Sequence, residues 1–131
     1  MTVLLCDDNK MNCDIAEHLL NKAGASIMIA DNGEKAVELF RQSPIGGIDV
    51  ILMDVMMPVM DGLEAAKTIR MLARPDATLV PIIAMTAKAF DEDVRRSLNA
   101  GMNEHLSKPI YGKVLVSTLM KYKRVEEKIN I

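Results

Sequence analysis

Short apolar runs alternate with amphipathic stripes along this 131-residue chain. The apolar runs predict strands at 2–6, 26–30, 49–53, 79–86 and 105–107. The stripes, in which apolar residues recur three and four positions apart, predict helices at 10–23, 36–41, 63–74, 90–100 and 111–122. Strict alternation with short connections favours parallel strands joined by crossover helices. We therefore predict a flavodoxin-like (βα)5 α/β fold, a doubly wound parallel sheet with strand order 2-1-3-4-5.

The length fits one domain, which we expect to span residues 1–122, followed by a charged C-terminal tail at 123–131. A composition that is 50% apolar and 26% charged argues against intrinsic disorder. The net charge of -2 and the 3% of aromatic residues argue against a nucleic-acid-binding surface. We expect no direct contact with nucleic acid.

The two cysteines, Cys6 and Cys13, match neither a disulfide framework nor a zinc-binding spacing. Cys6 lies in an apolar run and is predicted to be a small buried apolar side chain. No signal peptide is visible, and no apolar stretch reaches the ~18 residues of a membrane span. We expect a cytoplasmic chain that makes no membrane contact.

Chemically reactive side chains stand at the ends of the first, third, fourth and fifth predicted strands. Asp7 and Asp8 follow the first strand, Asp54 the third and Lys108 the fifth, and Thr86 ends the fourth. The carboxyl ends of parallel strands meet at one edge of the sheet, so these side chains should converge. Converging carboxylates repel one another unless a cation compensates them, and Mg²⁺ (or Mn²⁺) prefers such oxygen ligands. This set suits phosphoryl transfer, in which an Asp can itself accept the phosphoryl group.

Each of these residues also has an ordinary structural interpretation when it is taken alone. Asp7 or Asp8 could cap the following helix. Thr86 could be a strand-end hydroxyl bonded to the backbone, and Lys108 could be a solvated loop charge. Their joint position at the ends of four strands is what favours a functional site.

The order and spacing of these residues resemble the response-regulator receiver domain of two-component signalling, over residues 3–122. The sequence motifs are most similar to those of the receivers of hybrid sensor histidine kinases. The resemblance rests on Asp7-Asp8, on Asp54 in MDVMMPVMDG, on Thr86-Ala87 in IIAMTAKAF and on Lys108-Pro109 in AGMNEHLSKPI.

The resemblance implies that Asp54 is the phosphoacceptor and that the donor is a phosphohistidine on a histidine kinase or a histidine phosphotransfer domain. It implies that Asp8 and Asp54 bind Mg²⁺ (or Mn²⁺) directly and that Asp7 binds it through water. The backbone carbonyl of Met56 would complete the protein ligands.

Further roles are implied for residues near the fifth strand. Thr86 and Lys108 would contact the phosphoryl oxygens, and the Lys108–Pro109 bond is commonly a cis peptide in the family. Thr86 and His105 occupy the switch positions, although the family often has Tyr or Phe where this chain has His105. A downstream protein is expected to bind the face of the fourth helix, fifth strand and fifth helix.

Met56 and Lys88 lie two residues after the phosphoacceptor and after the Thr, near the path of a hydrolytic water in receivers. Neither side chain is a strong hydrogen-bond acceptor, which predicts slow autodephosphorylation. The isolated chain is then not an enzyme beyond its self-catalysed phosphotransfer. We expect either a stand-alone receiver or part of a histidine kinase, including the cytoplasmic part of a membrane-anchored one, with no output domain after the fifth helix.

Three alternatives have distinct requirements. An aspartyl-phosphate phosphatase usually has a second Asp at the position of Met56, so it is disfavoured. A flavodoxin-like cofactor binder needs a phosphate-cradling loop where this chain has Asp7 and Asp8. A degenerate receiver that acts only as a docking module is disfavoured because all of the site residues are present.

Overall fold

The computed structural model describes residues 1–86, 91–108 and 111–122, with the side chains of all of these except 91–93. Its five parallel strands lie in the order β2-β1-β3-β4-β5, which confirms the predicted fold class and strand order. The elements in chain order are β1 (Thr2–Cys6), α1 (Lys10–Lys22), β2 (Ser26–Ala30), α2 (Gly33–Gln42), β3 (Val50–Asp54), α3 (Gly62–Arg70), β4 (Ile82–Thr86), α4 (Asp91–Asn99), β5 (Glu104–Ser107) and α5 (Gly112–Met120). The predicted tail at 123–131 lies outside the described residues.

The strand side chains divide the core into two clusters, one on each face of the sheet. Leu4, Ile51 and Ile82 belong to the cluster beneath α2 and α3. Their neighbours along the same strands, such as Leu52 and Ile83, belong to the cluster beneath α1 and α5. Because successive side chains of a strand point to opposite faces, a strand covered on both sides must be apolar throughout. This is why the strand sequences show no alternation.

The second helix begins three residues earlier than predicted. Asn32 is its N-cap, and its side chain accepts a hydrogen bond from the Lys35 N–H at 2.9 Å. The short polar segment that looks like a turn in the sequence is therefore the start of the helix.

The third helix ends at Arg70, so its predicted end at residue 74 is wrong. Arg74 points back to the C-terminal end of α2, where its guanidinium donates to the Phe40 carbonyl at 2.6 Å. It also pairs with Asp76, at 2.6 Å and 2.9 Å. These contacts with a distant helix end replace another turn of α3.

The fourth strand begins at Ile82, so its predicted start at residue 79 is also wrong. The N–H groups of Leu79 and Val80 donate to the Asp76 carbonyl at 3.2 Å and 3.0 Å instead of entering the sheet. Pro81, which has no N–H to donate, directly precedes the strand. Among the described residues, no helix is both long enough and apolar enough to cross a membrane.

Candidate functional site

Three carboxylates converge at the carboxyl edge of the sheet. β1 and β3 are neighbours, with Cys6 opposite Met53, so the residues that follow on each strand lie side by side. Asp7, Asp8 and Asp54 each offer a carboxylate oxygen, and these oxygens all lie within 4.8 Å of one another. Asp7 and Asp54 are buried and Asp8 is exposed, so the cluster opens to solvent on one side.

Lys108 joins this cluster from the end of β5. Its N–H donates to the Thr86 carbonyl at 2.8 Å, which holds the residue beside β4. Its Nζ lies 3.2 Å from Asp7 Oδ2 and 3.2 Å from Asp54 Oδ2. One ammonium therefore bridges two buried carboxylates that would otherwise repel each other.

Burial and neighbouring charges shift the pKa values of this pair. Burial raises the pKa of Asp54 above its ordinary value, and repulsion from Asp7 adds to the rise, although Lys108 opposes it. Burial lowers the pKa of Lys108, but attraction to Asp54 and Asp7 outweighs burial and leaves that pKa raised. Additional positive charge at the cluster would favour the ionised form of Asp54.

Asn9, rather than Asp7 or Asp8, caps the first helix. The Asn9 side chain accepts a hydrogen bond from the Asn12 N–H at 3.0 Å. Asp7 Oδ1 accepts one from the Asn9 N–H at 2.9 Å, which fixes the carboxylate next to the start of α1. Asp7 Oδ2 is left to face Lys108. The capping interpretation of Asp7 and Asp8 is therefore wrong.

The backbone of Gly62 packs directly against the backbone of Asp54. A Cβ at Gly62 would lie 2.2 Å from the Asp54 carbonyl oxygen, so only glycine fits there. The Met56 N–H donates to Asp54 Oδ1 at 3.3 Å. Sequence reasoning missed this role of Gly62. The sequence around it indicates only a helix start, with Asp61 as the N-cap, and the structure has that cap.

The remaining predicted residues occupy varied surroundings. Thr86 is buried at the end of β4, opposite Ser107 of β5. His105 is half-buried, and its buried Nε2 has no hydrogen-bond partner among the described residues. The Met56 side chain is 76% exposed. Lys88 and Pro109 lie outside the described residues, so the cis peptide stays a prediction.

The donor set fits a hard divalent cation. Carboxylate oxygens are the ligands that Mg²⁺ prefers, and an open side allows it to keep waters. The nearby thiols do not compete, because Cys6 is fully buried, as predicted, and burial raises its pKa. Burial also raises the pKa of Cys13 to about 11, and its thiol donates to the Asp7 carbonyl at 3.3 Å.

Comparisons with known proteins agree with this geometry. The profile of the response regulator receiver domain matches residues 3–120. Hybrid signal transduction histidine kinase I of Dictyostelium discoideum is 38% identical over 119 residues, which cover 89% of this chain. This chain spans only 7% of that kinase's length.

Solved structures of receivers superimpose closely. The receiver domain of the Pseudomonas aeruginosa sensor histidine kinase PA1611, described with magnesium in its active site cleft, has a TM-score of 0.83 at 36% identity and covers 92% of this chain and 95% of its own. The Saccharomyces cerevisiae co-crystal of the phosphotransfer protein Ypd1 with the Ssk1 receiver gives a TM-score of 0.82 at 32% identity, covering 93% of this chain and 88% of that one. The match to the family profile over residues 3–120 and the likeness to these receivers lead to one conclusion: this chain belongs to the response regulator receiver domains and is similar to those of hybrid histidine kinases.

Proposed function

We propose that this chain accepts a phosphoryl group on Asp54 from a phosphohistidine and changes its affinity for a partner in consequence. The observation that carries the proposal is the Lys108 ammonium at 3.2 Å from both buried carboxylates, Asp7 and Asp54. It places a movable positive charge beside a nucleophile that the backbone holds in place. Such a site favours phosphoryl transfer, where positioning and charge neutralisation dominate catalysis.

In the proposed reaction an Asp54 carboxylate oxygen attacks phosphorus and forms the O–P bond of an aspartyl phosphate. The N–P bond of the donor breaks, and the imidazole nitrogen keeps the electron pair. Asp54 must be ionised to attack, and the interaction with Lys108 supports that form. Lys108 and the hydroxyl of Thr86 then have donors to offer the new phosphoryl oxygens.

Asp7, Asp8 and Asp54, with the Met56 carbonyl, are the proposed ligands of Mg²⁺ (or Mn²⁺). A bound divalent cation would supply charge neutralisation between the carboxylates and the incoming phosphoryl oxygens. The description of magnesium in the PA1611 receiver supports this assignment.

The proposed donor is a histidine kinase or a histidine phosphotransfer domain, which the pairing of Ypd1 with the Ssk1 receiver supports. The proposed output surface is the face of α4, β5 and α5. Thr86 and His105 act there as the switch residues, because β5 connects His105 directly to Lys108. Phosphorylation adds roughly -1.5 to -2 charges beside Asp54, which is the change that the switch would report. A place within a longer histidine kinase and a location in the cytoplasm stay predictions.

The test is phosphorylation of the intact chain by acetyl phosphate with Mg²⁺, followed by intact mass. We expect one base-labile phosphoryl group on the wild type and none on Asp54→Asn. Asp31→Asn is the matched control, because Asp31 follows β2 at the same edge of the sheet and is exposed. Equal labelling of Asp54→Asn would refute the assignment.

The lifetime of the phosphoryl group gives a separate prediction. The thioether of Met56 is only a weak acceptor and does not orient a hydrolytic water, so we expect slow decay. Met56→Asn should accelerate decay of the phosphoryl group severalfold at fixed Mg²⁺. The decay rate of Lys88→Ala, measured in the same way, tests whether Lys88 also affects hydrolysis. Unchanged or slower decay in Met56→Asn would remove Met56 from this role.

A further inference from the structure

The second strand is the last strand on its side of the sheet. β2 pairs with β1 in parallel, with Met28 opposite Leu4. Within the part of the chain that the structure describes, no further strand lies on the other side of β2. A strand in this position presents a row of backbone N–H and C=O groups to whatever lies beside it. We call this row the outer edge of β2.

Two hydrogen bonds show which residues of β2 form this edge. The Ser26 N–H donates to the Met1 carbonyl at 2.9 Å, and the Ala30 carbonyl accepts from the Asp7 N–H at 3.0 Å. Successive residues of a strand direct their backbone groups to opposite sides, so the even-numbered residues of β2 face β1. The residues whose backbone N–H and C=O groups point to the outer edge are therefore Ile27 and Ile29.

The outer edge of β2 lacks the features that usually keep strand edges apart. Natural edge strands commonly carry charged side chains or Pro. The sequence of β2 is SIMIA, which has neither, and Ile29 is 43% exposed. The strand at the opposite border of the sheet differs, because β5 contains Glu104 and is followed by Lys108. An uncharged apolar edge favours pairing with another strand.

The side chains of β2 alternate between the two faces of the sheet. Ile27 packs against the core cluster beneath α1 and α5, and Met28 packs against the cluster beneath α2 and α3. A two-fold axis perpendicular to the sheet keeps each face of one copy continuous with the same face of another. In an antiparallel pair of two β2 strands, side chains of the same face would therefore meet.

We propose that the outer edge of β2 pairs with the same edge of a second copy of this chain, as antiparallel strands related by a two-fold axis at Met28. Ile27 then lies opposite Ile29 of the second copy, and each donates its N–H to the carbonyl of the other. Met28 meets Met28 of the second copy on the opposite face. The two five-stranded sheets become one continuous sheet.

The edge is self-complementary in this register, which is what a symmetric contact requires. Outward donors meet outward acceptors, and apolar side chains meet apolar side chains. Asp31, the first charged residue after β2, would lie opposite Ala25 of the second copy, so the two Asp31 carboxylates stay at opposite ends of the strand pair. The proposal goes beyond phosphorylation of Asp54 and does not depend on it, since β2 contains none of the candidate site residues.

Cysteine substitutions test the register. In the proposed pair the two Met28 residues are a directly opposed, non-hydrogen-bonded pair, with Cα atoms about 4.5 Å apart, which a disulfide can span. We expect Met28→Cys to form a covalent dimer in a glutathione redox buffer, measured by intact mass without reductant. Ser26→Cys is the matched control, because its two copies would lie four positions apart along the strands, or about 13 Å. It should give at least about tenfold less dimer, and the wild type, whose Cys6 and Cys13 are buried, should give none.

Sedimentation equilibrium of the intact chain measures the association itself. We expect a concentration-dependent dimer. Ile29→Lys should raise its dissociation constant by at least about tenfold, because the two lysines would lie diagonally across the strand pair and each would be desolvated against Ile27. Met71→Lys is the matched control, since Met71 is also an exposed apolar residue but directly follows α3. That substitution should leave the dissociation constant unchanged.

The proposal is overturned by a chain that stays monomeric at millimolar concentration, by a dimer that Ile29→Lys leaves intact, or by equal cross-linking of Met28→Cys and Ser26→Cys. A monomer that binds an extended apolar peptide, and loses that binding on Ile29→Lys, would also overturn it. That result would assign the outer edge of β2 to a strand of another protein.

Discussion

Asp54 is positioned by a glycine further along the chain. The carbonyl of Asp54 lies where a Cβ of residue 62 would be, at 2.2 Å, so backbone packs directly on backbone behind the carboxylate. A second glycine, Gly33, packs in the same way, with its backbone directly against the backbone of the loop before α3. Its own Cβ would lie 2.4 Å from the Met60 carbonyl, which already accepts the Gly33 N–H at 2.9 Å.

Gly62→Ala should destabilise the fold by about 2–3 kcal/mol, because neither backbone can move without disturbing the core. Urea denaturation measures this change in the free energy of unfolding. Gly24→Ala is the comparison: Gly24 has φ +86 but open space around its Cβ, so we expect a loss of only about 1 kcal/mol. Equal losses at the two positions would contradict the close approach at Gly62.

Val59 has a backbone conformation that β-branched residues rarely adopt. Its φ is 67, and the Met60 N–H donates to the Pro58 carbonyl at 2.7 Å across it, which closes a three-residue turn. Turns of this kind are strained and concentrate near functional sites. Here the turn lies in the loop that joins Asp54 to α3.

Val59→Asn should stabilise the protein by about 1 kcal/mol, since Asn tolerates positive φ. The Val59 side chain is 76% exposed, so little packing is lost. Val59→Ala, which keeps a Cβ, should gain less. Thermal denaturation of both variants checks the order, and a loss of stability in Val59→Asn would contradict the strain.

An ion pair between Arg74 and Asp76 fixes the connection between α3 and β4. The same Arg74 also binds the C-terminal end of α2. Arg74 packs over the Phe40 ring at 4.5 Å and donates to the Phe40 carbonyl at 2.6 Å. Asp76 orients that guanidinium and accepts the Gly46 N–H at 2.9 Å. The hydrogen bond from Arg74 lowers the pKa of Asp76, although its partial burial opposes this.

Asp76→Asn should cost about 1–2 kcal/mol at pH 7. A carboxyl group whose folded-state pKa is lowered stabilises the fold fully above its unfolded pKa, and that contribution is lost as the pH falls through the folded pKa. The difference between wild type and variant should therefore hold from pH 7 to about 5 and shrink below about pH 4. Glu38→Gln, in an exposed pair with Arg41, should show no measurable difference at any pH.

This ion pair also shows where sequence reasoning stops. The strands β1 and β3 could be predicted because short continuous apolar runs are typical of strands that helices cover on both faces of a sheet. The ends of α3 and β4 could not, because they depend on contacts of Arg74 with residues 30 and 34 positions away. The same limit applies to Gly62, whose role exists only once the loop has folded back onto β3.

The two core clusters share a single sheet, so events at its carboxyl edge affect the stability of the entire fold. The convergence of Asp7, Asp8 and Asp54 followed from the rule for parallel strands. The position of Lys108 between two carboxylates did not follow from that rule, since it depends on a side-chain conformation. Mutual repulsion of buried carboxylates is a cost that a bound cation would relieve.

Mg²⁺ should therefore raise the free energy of unfolding of the wild type. At ten times its dissociation constant, mass action gives about 1.4 kcal/mol, or a rise in Tm of about 3–5 °C. Asp8→Asn should lose most of this increment while folding normally, because Asp8 is exposed. Asp31→Asn should keep it. An equal Mg²⁺ response in Asp8→Asn would exclude Asp8 as a ligand.

The parallel order of the strands has a consequence for how such a chain can vary. Asp7, Asp8, Asp54, Thr86 and Lys108 lie at the carboxyl edge of the sheet. The opposite edge carries the turns that lead from one helix to the next strand. The turn at Gly24 illustrates this, since nothing lies within 4 Å of its Cβ position. Insertions or reporter groups placed there would leave the distances between Asp7, Asp54 and Lys108 unchanged. In evolutionary terms, that edge is free to diversify while the chemistry stays constant.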